Sequence, residues 1–90
     1  MYTLARDVSA VPTDYGTVLL DERRGEYFTL NPTGELVLRS ALSSGDVAEA
    51  VTALVAEYSV DRATAEQDAR TIVDQLVDAG LLVSTRDGSR

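Results

Sequence analysis

The chain is expected to fold as an α+β domain, with a small antiparallel sheet at the N-terminal end followed by three α-helices. Three observations carry that expectation. Residues 17–22 and 26–30 are short runs rich in β-branched, aliphatic and aromatic side chains, separated by Arg23-Arg24-Gly25, which fits a hairpin whose glycine takes the left-handed position. Beyond Pro32 the apolar residues recur every three or four positions instead of every two, as on helices. The last such stripe closes on Gly80-Leu81-Leu82, where Gly80 can supply a left-handed cap.

Taken in order, residues 4–11 alternate loosely and stop at Pro12-Thr13-Asp14, which reads as a first, irregular strand followed by a loop. In the hairpin, Glu22 placed opposite Glu26 sets Leu20 against Phe28 and Val18 against Leu30 as the core face. Asp21 with Tyr27 and Leu19 with Thr29 then fall on the other face. A bulge at Gly25 would shift this pairing by one residue. Asn31-Pro32 offers an N-cap and a proline at the first helical position, so a helix is predicted over 32–42, with Leu36, Val37, Ala41 and Leu42 as its apolar side. Ser43-Ser44-Gly45 stops it.

Asp46 with Glu49 has the spacing of a capping box, and Val47, Ala50, Val51, Leu54, Val55 and Tyr58 recur at helical spacing up to Ser59. A third helix starts near Asp61 or Thr64 and carries Ala65, Ala69, Ile72, Val73, Leu76 and Val77 along one stripe. Residues 81–83 add a short extended segment or pack as a tail, and 85–90 read as a frayed end. Residues 1–84 are thus expected to form one domain of winged-helix type, its sheet three-stranded.

Composition narrows the function. At 90 residues, 44% hydrophobic and 26% charged, the chain has the make-up of an ordinary single globule. The absence of any long apolar run or signal peptide makes a cytoplasmic location the expectation. His and Cys are both absent, which removes the imidazole and thiolate chemistry of most small catalytic, zinc and disulfide sites. A net charge of −7 argues against nucleic acid and anionic membranes as partners. It favours a basic peptide or protein.

Individual motifs are weak. The third helix carries Asp61, Glu66, Asp68, Asp74 and Asp78 against Arg62 and Arg70, so phosphates would repel it. Asp21, Glu22 and Glu26 lack anything that would desolvate a catalytic carboxylate. Asp74 with Asp78 cannot fill the six or more oxygen positions that Ca²⁺ requires. No catalytic residue, metal ligand or cofactor is therefore assigned. The strand over 26–30 is more suggestive: as an edge strand it would offer free N–H and C=O groups to an extended peptide. A groove between it and the third helix would take the peptide's side chains, beside apolar Val73, Leu76 and Val77 and bordered by Arg70 and Asp74.

Gly16-Thr17-Val18-Leu19-Leu20-Asp21, Gly25-Glu26-Tyr27-Phe28-Thr29-Leu30-Asn31-Pro32-Thr33-Gly34, Leu42-Ser43-Ser44-Gly45 and Leu76-Val77-Asp78-Ala79-Gly80-Leu81-Leu82 together resemble the PqqD-like family. Members are RiPP recognition elements, which bind the leader peptide of a ribosomally made precursor. The wording is most similar to the discrete leader-binding proteins of lasso-peptide biosynthesis. The resemblance implies a leader, commonly with a Tyr-x-x-Pro element, added antiparallel to the 26–30 strand and packed against the third helix. Carried over by position, Glu26, Tyr27, Phe28, Thr29 and Leu30 would give the backbone edge, Val73, Leu76 and Val77 the pocket walls, and Arg70 and Asp74 the rim. A leader peptidase and an ATP-dependent cyclase would be the pathway partners. The competing expectations are a winged-helix DNA-binding regulator and a structural subunit that dimerises through its exposed edge.

Overall fold

The computed structural model of the chain describes residues 2–84; the tail expected at 85–90 lies outside the described residues. Strands β1 (Tyr2–Leu4), β2 (Val8–Thr13), β3 (Gly16–Asp21) and β4 (Glu26–Leu30) precede helices α1 (Pro32–Ser44), α2 (Ala48–Tyr58) and α3 (Arg62–Asp78), and β5 (Leu82–Ser84) follows them. β2, β3 and β4 form an antiparallel three-stranded sheet, while β1 pairs antiparallel with β5 in a separate ribbon. The α+β architecture with three helices is as predicted. Its strand set is larger.

The single strand expected over 4–11 is in fact two. The chain turns between them, with Asp7 at φ 65 and the Val8 N–H donating to Ala5 O at 3.1 Å. Pro12 and Thr13, expected in a loop, belong to β2 opposite Thr17 and Gly16. Proline is tolerated there because β2 is an edge strand, where a missing N–H can face outward.

The hairpin register differs by one residue from the expected pairing: Asp21 faces Glu26, Leu19 faces Phe28 and Thr17 faces Leu30. The reason lies in the turn. Asp21 Oδ1 accepts from the N–H groups of Arg23 and Arg24, and Asp21 O accepts from Gly25 N–H at 2.9 Å. The turn therefore begins one residue earlier than assumed, and a shift of one exchanges the faces of a strand. Leu19 is fully buried, whereas Leu20, expected inside, is exposed. Gly16 makes the close approach of β3 to the end of β4 possible, because its φ of 143 suits glycine and a Cβ would collide with Leu30 O.

Asn31 caps α1 as predicted, its Oδ1 accepting from Gly34 N–H at 2.8 Å, with Pro32 in the first turn. The helix runs to Ser44, and its fully buried side includes Leu38 and Ser40, while Leu36 and Leu42 are only partly covered. Asp46 does not form the expected capping box. Its carboxylate accepts from Ala48 N–H, and the buried Ser40 hydroxyl accepts from Ala50 N–H while donating to Asp46 O. The start of α2 is thus satisfied partly from α1, which locks the two helices together. Tyr58, expected on the apolar stripe, is 53% exposed.

Asp61 caps α3 through Thr64 N–H. At the other end Leu81 N–H donates to Leu76 O and Gly80 N–H to Val77 O, with Gly80 at φ 78, the paired bonds of a Schellman stop. Leu81 and Leu82 then return into the core, where they join Leu19, Val37, Val51 and Leu76. Among the described residues no helix is long and apolar enough to cross a membrane.

Candidate functional site

The exposed edge of β4 follows from the ladder itself. At the end of β3, Glu22 N–H donates to Asp7 O at 3.0 Å, toward the β2 side. Successive residues of an antiparallel strand direct their main-chain groups to opposite edges, so Leu20 and Val18 also face β2, and Asp21, Leu19 and Thr17 face β4. The Gly25 N–H bond to Asp21 O agrees with that assignment. Glu26, Phe28 and Leu30, opposite those three residues, accordingly direct their N–H and C=O groups at β3. Tyr27 and Thr29 turn theirs outward, and β4 has no second strand neighbour among the described residues.

Side chains alternate with the same period. Phe28 and Leu30 point to the helix side, where Leu30 is buried and Phe28 partly so, while Tyr27 is 72% exposed. Beside the open edge, β4 and α3 stand apart and leave two hollows. Near Leu30 a hollow of about 180 Å³ is lined by Phe28, Leu30, Asn31 and Gly34 on one side and by Ile72, Gln75 and Leu76 of α3 on the other. Near the hairpin a smaller one, about 60 Å³, lies between Asp21, Glu26, Tyr27 and Phe28 and the chain at Ala79 and Leu81. Phe28 is the wall common to both, and the two hollows together make up the trough along β4.

The structure brings Glu26, Tyr27, Phe28, Thr29, Leu30 and Leu76 together at this trough. It does not bring Arg70, Val73 and Asp74 there. Those three border a separate depression on the other flank of α3, against Tyr2 and Val47, and Val73 is core at 5% exposure. Val77 is 38% exposed and lines neither part of the trough. Val73 and Val77, expected as pocket walls, and Arg70 and Asp74, expected as the rim, thus stand outside the trough.

The helix wall is instead Ile72, Gln75 and Leu76, continued by Ala79. These positions recur at i, i+3, i+4 and i+7, one side of a helix, whereas 70, 73, 74 and 77 recur on the other. Periodicity held this signal, but choosing between the sides required knowing where the sheet lies. Gln75 is a polar residue within this otherwise apolar wall of α3. Its amide can both donate and accept beside the open edge.

Chemically, the site offers two outward-facing main-chain donors and acceptors, a trough in which apolar Phe28, Leu30, Ile72 and Leu76 alternate with polar Thr29, Asn31 and Gln75, and carboxylates of Asp21 and Glu26 at its hairpin end. Among the described residues no group of three or more acidic, His or Cys side chains is placed to hold a metal ion.

Comparison with known proteins gives one family and two close structural likenesses. The family described as coenzyme PQQ synthesis protein D (PqqD) matches residues 16–82. A solved structure of lasso peptide synthetase B1 complexed with the leader peptide is 38% identical, covering 91% of this chain and 96% of that one, with a TM-score of 0.83. TbiB1 in complex with the TbiA(beta) leader peptide is 36% identical, covering 94% and 99%, with a TM-score of 0.76. Among curated proteins none matches.

Proposed function

The chain belongs to the PqqD family, and from that premise we propose that it is a non-catalytic adaptor that captures the leader peptide of a ribosomally made precursor, a lasso-peptide precursor. The leader adds to β4 as an antiparallel strand, and the adaptor presents it to a leader peptidase and to the cyclase of the same pathway. One observation carries this reading: Tyr27 and Thr29 turn unpaired main-chain groups toward a trough whose far wall is the apolar side of α3. The two leader-bound likenesses support it, since each covers nearly the whole of this chain.

The energetics assign separate tasks to the two halves of the site. Each main-chain hydrogen bond contributes about 0.5–1.5 kcal/mol net, while ordering a flexible peptide costs about 1–2 kcal/mol per residue. The ladder alone cannot offset that cost, so affinity rests on side chains seated in the trough between Phe28, Leu30, Ile72 and Leu76. The net charge of −7 speeds the approach of a basic leader and adds little to its final grip. Glu26, Tyr27, Phe28, Thr29, Leu30 and Leu76 keep the roles proposed for them, and Ile72, Gln75 and Ala79 join them.

The test is a titration of ¹⁵N-labelled protein with the leader peptide of the 38%-identical complex, followed by amide hydrogen exchange. Tyr27 and Thr29 N–H groups become protected on binding if the strand adds to β4. Saturation that leaves both amides exchanging at their free rates rules out strand addition.

A further inference from the structure

The walls of the trough are joined differently at its two ends. Near Leu30 the β4 side is packed tightly into α1, since a Cβ on Gly34 would lie 3.2 Å from Leu30 Cδ2, and α1 in turn packs against α3. At the hairpin end the turn projects beyond the sheet to where α3 stops. There Arg24 Nη1 donates to Ala79 O at 3.2 Å. Among the described residues this is the one side-chain hydrogen bond that joins the hairpin to α3 or its cap.

Several features converge on that contact. Leu76 O and Val77 O are satisfied by the chain's own Schellman stop, leaving Ala79 O to an outside donor. The last turn of α3 has no basic residue, so the guanidinium supplies the cation that the negative end of the helix dipole favours. Arg24 is aimed from behind by Asp21, whose Oδ2 lies 3.8 Å from Nε while Oδ1 holds the turn's amides. The guanidinium lies directly against Gly80, where a Cβ would meet Nη2 at the contact distance of 3.4 Å.

We propose that Arg24 is a positioning residue for the bound peptide: it clasps the hairpin to the end of α3 and sets the width of the trough at its hairpin end. The inference rests on the strand-addition reading and deepens it. As an isolated exposed hydrogen bond the contact would count for little. Its importance is geometric, since without it the Glu26 end of the β4 edge can swing away from Ala79 and Leu81.

The experiment compares wild type, Arg24→Ala and Arg24→Lys, using the fluorescein-labelled leader of the 38%-identical complex as probe and amide exchange of the free proteins as the second readout. Arg24→Ala is expected to weaken binding about tenfold, because a hairpin end no longer held against α3 is in the binding position only about a tenth of the time. Amide exchange at Gly25 and Gly80, whose N–H groups are bonded in the free protein, rises while that of the core stays as in wild type. Arg24→Lys retains most of the affinity, since an ammonium can still donate to Ala79 O. Wild-type affinity in Arg24→Ala, or unchanged exchange at both amides, overturns the clasp alone. A wild-type protein that binds no leader overturns the strand-addition reading, and the role of Arg24 with it.

Discussion

The β2-β3-β4 sheet has two edges, and they differ in what they leave unpaired. By the same alternation that frees Tyr27 and Thr29 on β4, the outward residues of β2 are Val8, Ala10 and Pro12. Val8 N–H is already donated to Ala5 O, and Pro12 has no N–H to give. Ala10 is left as the sole free donor of that edge. Yet β2 also borders a groove, about 230 Å³, lined mainly by Ala10, Pro12, Leu38 and Leu42 beside α1. A hollow with apolar side chains in its walls therefore lies beside both edge strands. What distinguishes β4 is a ladder that a second backbone can complete, and Pro12 guards the other edge as prolines do on edge strands.

Both edges depend on the strand between them, which provides the largest test. Leu19→Ala should destabilise the fold by about 2–5 kcal/mol, as large-to-small changes in a packed core do. Leu20→Ala, on the exposed face, should cost less than about 1 kcal/mol. Urea denaturation measures both. Equal losses would mean that the register observed here, and with it the assignment of Tyr27 and Thr29 to the open edge, is wrong.

That register marks the limit of what the residues disclosed by themselves. The β3–β4 hairpin, the capped start of α1, the stripe of α3 and the Gly80 stop are local signals, and each was legible. The face of each strand was not, because it depended on whether the turn began at Asp21 or Glu22, a choice made by two side-chain hydrogen bonds from Asp21. The β1–β5 ribbon was hidden for a different reason. Its strands stand at opposite ends of the chain, and three residues carry too little pattern to announce a partner. The candidate site divides likewise: β4 and Leu76 were identified as candidates from local pattern and resemblance, while Ile72 and Ala79 needed the placement of α3 against the sheet.

The second test attacks the β4 edge directly by giving it what β2 has. Thr29→Pro removes an outward N–H without touching the β3 ladder, so the fold should survive by circular dichroism. Leaving the incoming carbonyl unpartnered costs about 1–3 kcal/mol, so leader binding should fall about 10- to 100-fold. Unchanged affinity would separate binding from the ladder altogether.

A third comparison moves to the helix wall. Ile72→Ala removes apolar contact from the trough and should weaken leader binding about fivefold, by roughly 1 kcal/mol of lost burial. Val77→Ala, on the other flank of α3, should leave it unchanged. If calorimetry finds the order reversed, the peptide lies on the side of α3 that carries Arg70 and Asp74.

The smallest effect is expected where the guard is removed. Pro12→Thr returns an N–H to the outer edge of β2, which with Ala10 would give that edge two donors, as β4 has. Two copies could then pair edge to edge, but the few bonds gained, each about 0.5–1.5 kcal/mol net, must work against the repulsion of two chains of charge −7. Association should therefore be weak, visible by light scattering only at high protein concentration, and stronger at high salt because screening shortens the reach of that repulsion. Leader binding at β4 should not change, since the two edges share no main-chain group. A Pro12→Thr protein that stays monomeric at high salt would show that Pro12 is not what closes the β2 edge. The difference between the edges would then rest on the Val8–Ala5 bond and on the shape of the α1 groove.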